Sequence, residues 1–138
     1  MKDYTVPLKV AGILADGEFH SGEQLGDTCG MSRAAINQHI NTLKGWGLDI
    51  YTVTGKGYCL SAPLQLLNAE TIRQNVTGSG EVNVIPVIDS TNQYLMDRMA
   101  VLSPGDTCIA EYQQSGRGRR GRQWFSPFGA NLYMSMYW

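Results

Sequence analysis

Two helix-start signals stand close together in the stretch "HSGEQLGDTCGMSRAAINQHINTLKGWG", with a glycine between them. Ser21 followed three residues later by Gln24 is a capping box: the serine oxygen takes an amide hydrogen of the first turn while the glutamine reaches back. Ser32, directly before Arg33-Ala34-Ala35-Ile36, is a second N-cap. The first helix therefore runs only to about Cys29. Gly30 supplies a left-handed exit, and Gly30-Met31-Ser32 remains as a short turn. That spacing predicts a helix-turn-helix. On its second helix Ile36, Ile40 and Leu43 recur at i, i+4 and i+7 and face a core. Arg33, Asn37, Gln38, Asn41 and Lys44 face outward, with no carboxylate among them.

The flanks extend this unit. Leu8, Ala11, Ile13, Leu14 and Ala15 fall at helical spacing and predict a helix over Val6 to Ala15, ending at Asp16-Gly17. After the second helix, "LDIYTVTGKGYCLS" gives a mostly alternating run through Leu48, Ile50 and Val53. A Thr54-Gly55-Lys56-Gly57 turn and a short strand over Tyr58 to Leu60 follow. Helix, helix-turn-helix and two-stranded wing make a winged helix-turn-helix. Arg, Asn and Gln near the start of such a helix match donor and acceptor edges of bases, whereas Ser and Lys suit phosphates. The candidate DNA-binding segment is Gly22 to Asn41. Ser32, Arg33, Asn37, Gln38 and Asn41 are foremost in it, and Lys44 and the wing's Lys56 meet phosphate. The formal net charge is only −1, but no acid stands between Asp27 and Asp49 and none follows Glu111, where four arginines cluster. A solvated face on a three-helix bundle is the plain alternative.

A proline-containing connector at Ser61 to Leu64 places a domain boundary near residue 64, dividing the chain into 1–64 and 65–138. The second part opens with a short helix capped at Asn68. "VNVIPVID" is a strand interrupted by Pro86, and "STNQYLMDRMAV" is a helix capped by Ser90 or Thr91 with Tyr94, Leu95 and Met99 inward. A strand running into a helix N-terminus presents backbone N–H groups to polar ligand atoms, although Ser90, Thr91 and Asn92 also serve simply as caps. A strand over Thr107 to Gln113, a Gly/Arg loop and a strand over Asn131 to Trp138 complete an α+β sheet with a loop across one face. Cys29, Cys59 and Cys108 have no metal-ligand spacing and read as buried, reduced thiols, with no metal. No run reaches the roughly 18 apolar residues of a membrane span, and "MKDYTVPLKV" lacks a leader's apolar core, so no membrane association and a cytoplasmic location are expected.

"GRGRRGRQWFSP", from Gly116 to Pro127, raises three readings. Gly116, Gly118 and Gly121 spell the dinucleotide fingerprint, but Pro127, Gly129 and the extended "NLYMSMYW" follow where a helix is required. An RNA-binding arginine arm fits the charge, yet apolar strands bracket the loop and such arms occur in apolar-poor sequence. The third reading is a clamp on an adenylate. Glycine hinges close the backbone over the ligand, guanidinium forks grip phosphate, and Trp124 and Phe125 cover a flat ring.

"DSTNQYL", "EYQQSGRGRRGRQWFSPFGANLYMSM" and "SGEQLGDTCGMSRAAINQHI" together resemble the bifunctional biotin protein ligases that also repress the biotin operon. The resemblance spans essentially the whole chain. It implies a winged helix-turn-helix followed by the start of a mixed α/β catalytic domain. It further implies joining of biotin and ATP, with Mg2+, into biotinoyl-5'-adenylate with release of pyrophosphate. The biotinoyl group then passes to a lysine of biotin carboxyl carrier protein. With acceptor scarce, an adenylate-bound homodimer binds operator DNA. By the same resemblance Ser90, Thr91, Asn92 and Gln113 contact biotin, and Arg117, Gly118 and Arg119 belong to the loop that folds over the adenylate, Arg119 with a catalytic role. The family's chains are longer and supply a further lysine, so this chain, ending at Met136-Tyr137-Trp138 with no turn or polar cap, reads as truncated and inactive as a ligase alone. A winged-helix regulator whose second domain only senses a ligand is the alternative from another class.

Overall fold

The computed structural model describes residues 3–138; Met1 and Lys2 lie outside the described residues. The chain divides into two compact units, one up to Leu66 and one over Leu67–Trp138.

The first unit contains α1 (Thr5–Leu14), α2 (Gly22–Cys29), α3 (Arg33–Gly45), β1 (Ile50–Val53) and β2 (Gly57–Leu60). Local chemistry sets the helix ends. Ser21 Oγ accepts from Gln24 N at 3.0 Å and Ser32 Oγ from Ala35 N at 3.2 Å. Gly30 leaves α2 at φ 68°, its N–H bonded to Gly26 O. The turn is tight enough that a Cβ on Gly26 would come within 2.6 Å of Met31 O, so only glycine fits there. Val10, Ala11, Leu14, Leu25, Ile36, Ile40 and Leu43 form a fully buried core, each large side chain contributing about 1.5–3 kcal/mol. The buried stripe of α1 is Pro7, Val10, Ala11 and Leu14. Leu8, Ile13 and Ala15, expected inward, are only half-buried.

β1 and β2 pair antiparallel with Ile50 opposite Leu60 and Val53 opposite Gly57. His20 adds a single bridge on the far side of β2, exchanging backbone hydrogen bonds with Tyr58 at 2.9 and 2.8 Å. This is why Gly57, at φ 102°, is glycine: a Cβ would stand 2.3 Å from His20 O. Val53, read as part of the inward alternation, is exposed.

The second unit contains α4 (Ala69–Asn75), β3 (Val82–Val84), β4 (Val87–Ile88), α5 (Thr91–Met96), β5 (Thr107–Ala110), β6 (Tyr112–Gln113) and β7 (Tyr133–Met136). β5 is the middle strand of a three-stranded sheet, parallel to β3 and antiparallel to β7, while β4 pairs parallel with β6. The molecule is thus α+β throughout. The expected strand over Thr107 to Gln113 is broken at Glu111. The Pro86 carbonyl accepts from both Glu111 N and Tyr112 N at 3.0 Å, so two residues oppose one and the ladder is interrupted. The break turns the Glu111 carboxylate inward, where Oε1 accepts from Leu67 N at 2.6 Å. Burial raises the Glu111 pKa, and that hydrogen bond only partly offsets the shift. Met99, expected to face the core from a longer helix, lies in a separate 3-10 turn (Met99–Val101) and is exposed; α5 buries Thr91 and Leu95 instead. β7 is also shorter than the expected Asn131 to Trp138. Cys59 and Cys108 are buried free thiols, but Cys29 is only half-buried. Desolvation pushes the Cys108 thiol up to about 11, leaving it an inert packing group.

Candidate functional site

The N-terminus of α5 opens onto a cavity of about 400 Å3 lined by Ser90, Thr91, Asn92, Gln113 and Arg117, with Trp124 and Leu132 to Ser135 completing its walls. Its polar side chains are held by hydrogen bonds. Ser90 Oγ caps the helix by accepting from Gln93 N at 3.3 Å. Gln113, carried by β6, accepts at Oε1 from Thr91 N at 2.9 Å and from Thr91 Oγ1 at 3.1 Å. Its Nε2 donates to Ser126 Oγ at 3.0 Å. Thr91 Oγ1 also meets Ser135 Oγ at 2.8 Å, which ties β7 into the same network. Because a backbone N–H can only donate, the Gln113 amide has one orientation here. Asn92 is exposed at the rim, its Nδ2 contacting Met96 Sδ.

The Gly/Arg loop is an ordered ribbon beside this cavity. Trp124 N donates to Gly116 O and Gly118 N to Arg122 O, both at 2.7 Å, around a 3-10 turn at Arg119–Gly121. Arg120 sits in the left-handed region at φ 60°, a conformation that favours glycine and carries strain for an arginine. Gly116 is required: a Cβ would meet Trp124 O at 2.6 Å and Ser126 Oγ at 2.8 Å. The Arg117 guanidinium donates to Gln93 Oε1, and Gln93 Nε2 donates to Asp97 Oδ1 at 2.6 Å. An acceptor-only carboxylate at one end and a donor-only guanidinium at the other fix the glutamine between them. Gly118 and Arg119 do not line the first cavity. They line a neighbouring hollow of about 470 Å3 with Arg120, Arg122 and Trp124, and Trp124 borders both. The Trp124 and Phe125 rings are exposed.

In the first unit Arg33, Asn37, Gln38, Asn41 and Lys44 are exposed on α3. The Ser32 hydroxyl is engaged in the cap. Lys56 stands exposed at the wing turn, its ammonium 5.4 Å from the Phe19 ring centroid. Tyr58 OH donates to Asn37 Oδ1 at 3.2 Å.

Residues 8–59 match the family described as "HTH domain", and residues 84–138 match the "Biotin/lipoate A/B protein ligase family". The chain is 70% identical over its full length to the bifunctional ligase/repressor BirA of Escherichia coli (strain K12), of which it covers 43%. It is 68% identical, with the same coverage, to the Salmonella typhimurium protein of that name. A more distant relative of that name, from Bacillus subtilis (strain 168), is 32% identical over 88% of this chain and 39% of the relative. Over its length the chain is similar to the N-terminal part of these bifunctional ligase/repressors. It spans less than half the length of these relatives.

A match to a helix-turn-helix domain and one to part of a ligase domain thus stand side by side in this chain. The cavity and the arginine loop lie in the ligase part. Several residues of its cleft carried no assignment from sequence: Gln93, Ser126, Ser135 and Tyr133. A serine inside the otherwise apolar "LYMSMYW" was the available signal for Ser135, since strand alternation puts it on the face of buried Tyr133. Among the described residues no group of three or more His, Cys, Asp or Glu is placed to hold a metal, and no helix is long and apolar enough to cross a membrane.

Proposed function

We propose that the ligase part of this protein activates biotin with ATP and that its helix-turn-helix part holds operator DNA. The single observation carrying the first half is the convergence of Ser90, Thr91, Asn92, Gln113 and Arg117 on one cavity, with Gly118 and Arg119 beside it. The hydroxyls and amides at the α5 end take the polar ring of biotin, and the apolar wall of Leu132 and Met134 takes its hydrocarbon chain. A biotin carboxylate oxygen attacks the α-phosphorus of ATP, and the bond to the β-phosphate oxygen breaks as pyrophosphate leaves. Mg2+, brought in with the nucleotide as its complex, would supply charge neutralisation for the departing pyrophosphate. Arg117 and Arg119 offer fixed positive charge to the phosphate, and a preorganised donor of this kind is worth about 3 kcal/mol to the transition state. The product is a mixed anhydride that water destroys, so a loop folded over it protects it until the acceptor arrives. A neutral lysine amine of the biotin carboxyl carrier protein then attacks the acyl carbon, AMP leaves, and an amide forms.

When acceptor is scarce the adenylate stays bound, and a homodimer places two α3 helices on operator half-sites. Arg33, Asn37, Gln38 and Asn41 read bases, while Lys44 and Lys56 hold phosphates. The test is to give the complete gene product biotin and labelled ATP. Biotin-dependent release of pyrophosphate is expected; ligand binding without pyrophosphate would favour a regulator that senses a ligand and does no chemistry.

A further inference from the structure

Tyr58 belongs to the wing, yet its hydroxyl crosses to α3 and donates to Asn37 Oδ1 at 3.2 Å. The phenol is anchored on two sides. Its backbone exchanges both hydrogen bonds with His20, and its ring stands beside Gly22, where an added Cβ would meet Cε2 at 3.5 Å. Asn37 is exposed among Arg33, Gln38 and Asn41 on the same helix. A free asparagine amide on a helix surface presents its oxygen and nitrogen in either order, because the two ends have nearly the same shape. The Tyr58 hydroxyl donates to Oδ1 here and so holds one of the two orders. It occupies one of the oxygen's two lone pairs and leaves the other, together with both Nδ2 hydrogens, for a ligand. One acceptor beside one donor is the pattern that pairs with N6 and N7 of adenine in the major groove.

We propose that Tyr58 is a positioning residue that determines base specificity: its hydroxyl holds the Asn37 side chain in place to read adenine. This rests on the DNA-reading role assigned to α3 above. Tyr58 acts through Asn37 and touches no base itself. The wing thereby does more than meet the backbone; one strand of it sets the chemistry of the recognition helix.

The test selects bound sequences from a randomised duplex library, using the complete gene product with biotin and ATP, and compares wild type with Tyr58→Phe, Asn37→Ala and the double variant. Wild type is expected to prefer adenine at one position of each half-site by roughly ten-fold. Tyr58→Phe, which keeps the ring and its packing, should lower that preference to about two-fold at that position alone, with unchanged affinity for random duplex and an unchanged salt slope. Asn37→Ala should abolish the preference, and adding Tyr58→Phe to it should change nothing more. An unaltered base preference in Tyr58→Phe, or additive effects in the double variant, overturns the proposal. So does equal weakening on every sequence with a lower salt slope, which would make Tyr58 a phosphate contact. A wild-type protein that selects no sequence at all would instead remove the DNA-reading role itself.

Discussion

The side-chain oxygen of Gln113 takes two hydrogen bonds from Thr91, one from its amide at 2.9 Å and one from its hydroxyl at 3.1 Å. The pair joins β6 to the first residue of α5, and Ser126 and Ser135 extend it into the loop and β7. Thr91 is almost fully buried, so its hydroxyl is a structural pin of the cavity as much as a ligand group. Thr91→Val keeps the shape and removes the pin. It leaves Ser135 without that partner and Gln113 with one donor instead of two. Weakening of biotin binding by roughly ten-fold, about one hydrogen bond's worth, is expected from calorimetry on the complete gene product. An unchanged affinity would show that the hydroxyl does not order the cavity.

Gln93 holds Arg117 at one end and Asp97 at the other. Gln93→Ala should therefore free the arginine and loosen the loop without disturbing the Ser90 cap, which bonds the Gln93 backbone. Hydrogen exchange of the Gly118 and Trp124 amides, both bonded within the loop ribbon, should accelerate by about five-fold, while the Leu95 amide in α5 is unaffected.

Glu111 gives the second unit a pH signature. Burial places its folded pKa above the ordinary carboxylate value of 4.5, so the folded state binds the proton more tightly than the unfolded chain does. The associated stability is present at pH below the unfolded value and is lost as pH rises through the folded value. Glu111→Gln retains an oxygen for Leu67 N and removes the charge. Thermal unfolding from acid to neutral pH should show the variant gaining stability over wild type as pH rises through that window. A constant difference across the range would contradict the assignment.

Lys56 stands at the wing turn, its ammonium over the Phe19 ring. Lys56→Ala should weaken specific and random DNA alike and reduce the salt slope by about one ion, as measured by filter binding at several salt concentrations. A loss confined to one sequence would reassign it to base reading.

What was legible in the chain was what neighbours in sequence decide. Ser21, Ser32, Asn68 and Ser90 cap helices through bonds to amides three residues on, and Gly30 exits α2 in the left-handed region, so these ends follow from short stretches alone. The break at Glu111 was hidden because the carbonyl that takes both the Glu111 and Tyr112 amides, that of Pro86, is remote in sequence. Ser90, Thr91, Asn92, Gln113 and Arg117, singled out from the sequence, line one cavity, and Gly118 and Arg119 line the adjoining hollow. Ser126 and Ser135 reach the network only through folding, across long separations that no local pattern announces. Met99 failed as a core position because α5 ends at Met96, and Cys29, the last residue of α2, is only half-buried.

The most direct measurement is the amount of labelled biotinoyl-adenylate that stays on the complete gene product after gel filtration, compared between wild type and Arg119→Gly, with pyrophosphate release followed in parallel. Wild type should release pyrophosphate and retain the adenylate. Arg119→Gly should still release pyrophosphate but lose the adenylate, labelling nearby non-substrate lysines, because a charge-assisted tie of the loop is gone while the Thr91 and Gln113 side of the cavity is intact. Equal retention by the two proteins would remove the clamp role from Arg119, and absence of any biotin-dependent pyrophosphate from wild type would contradict the account at its centre.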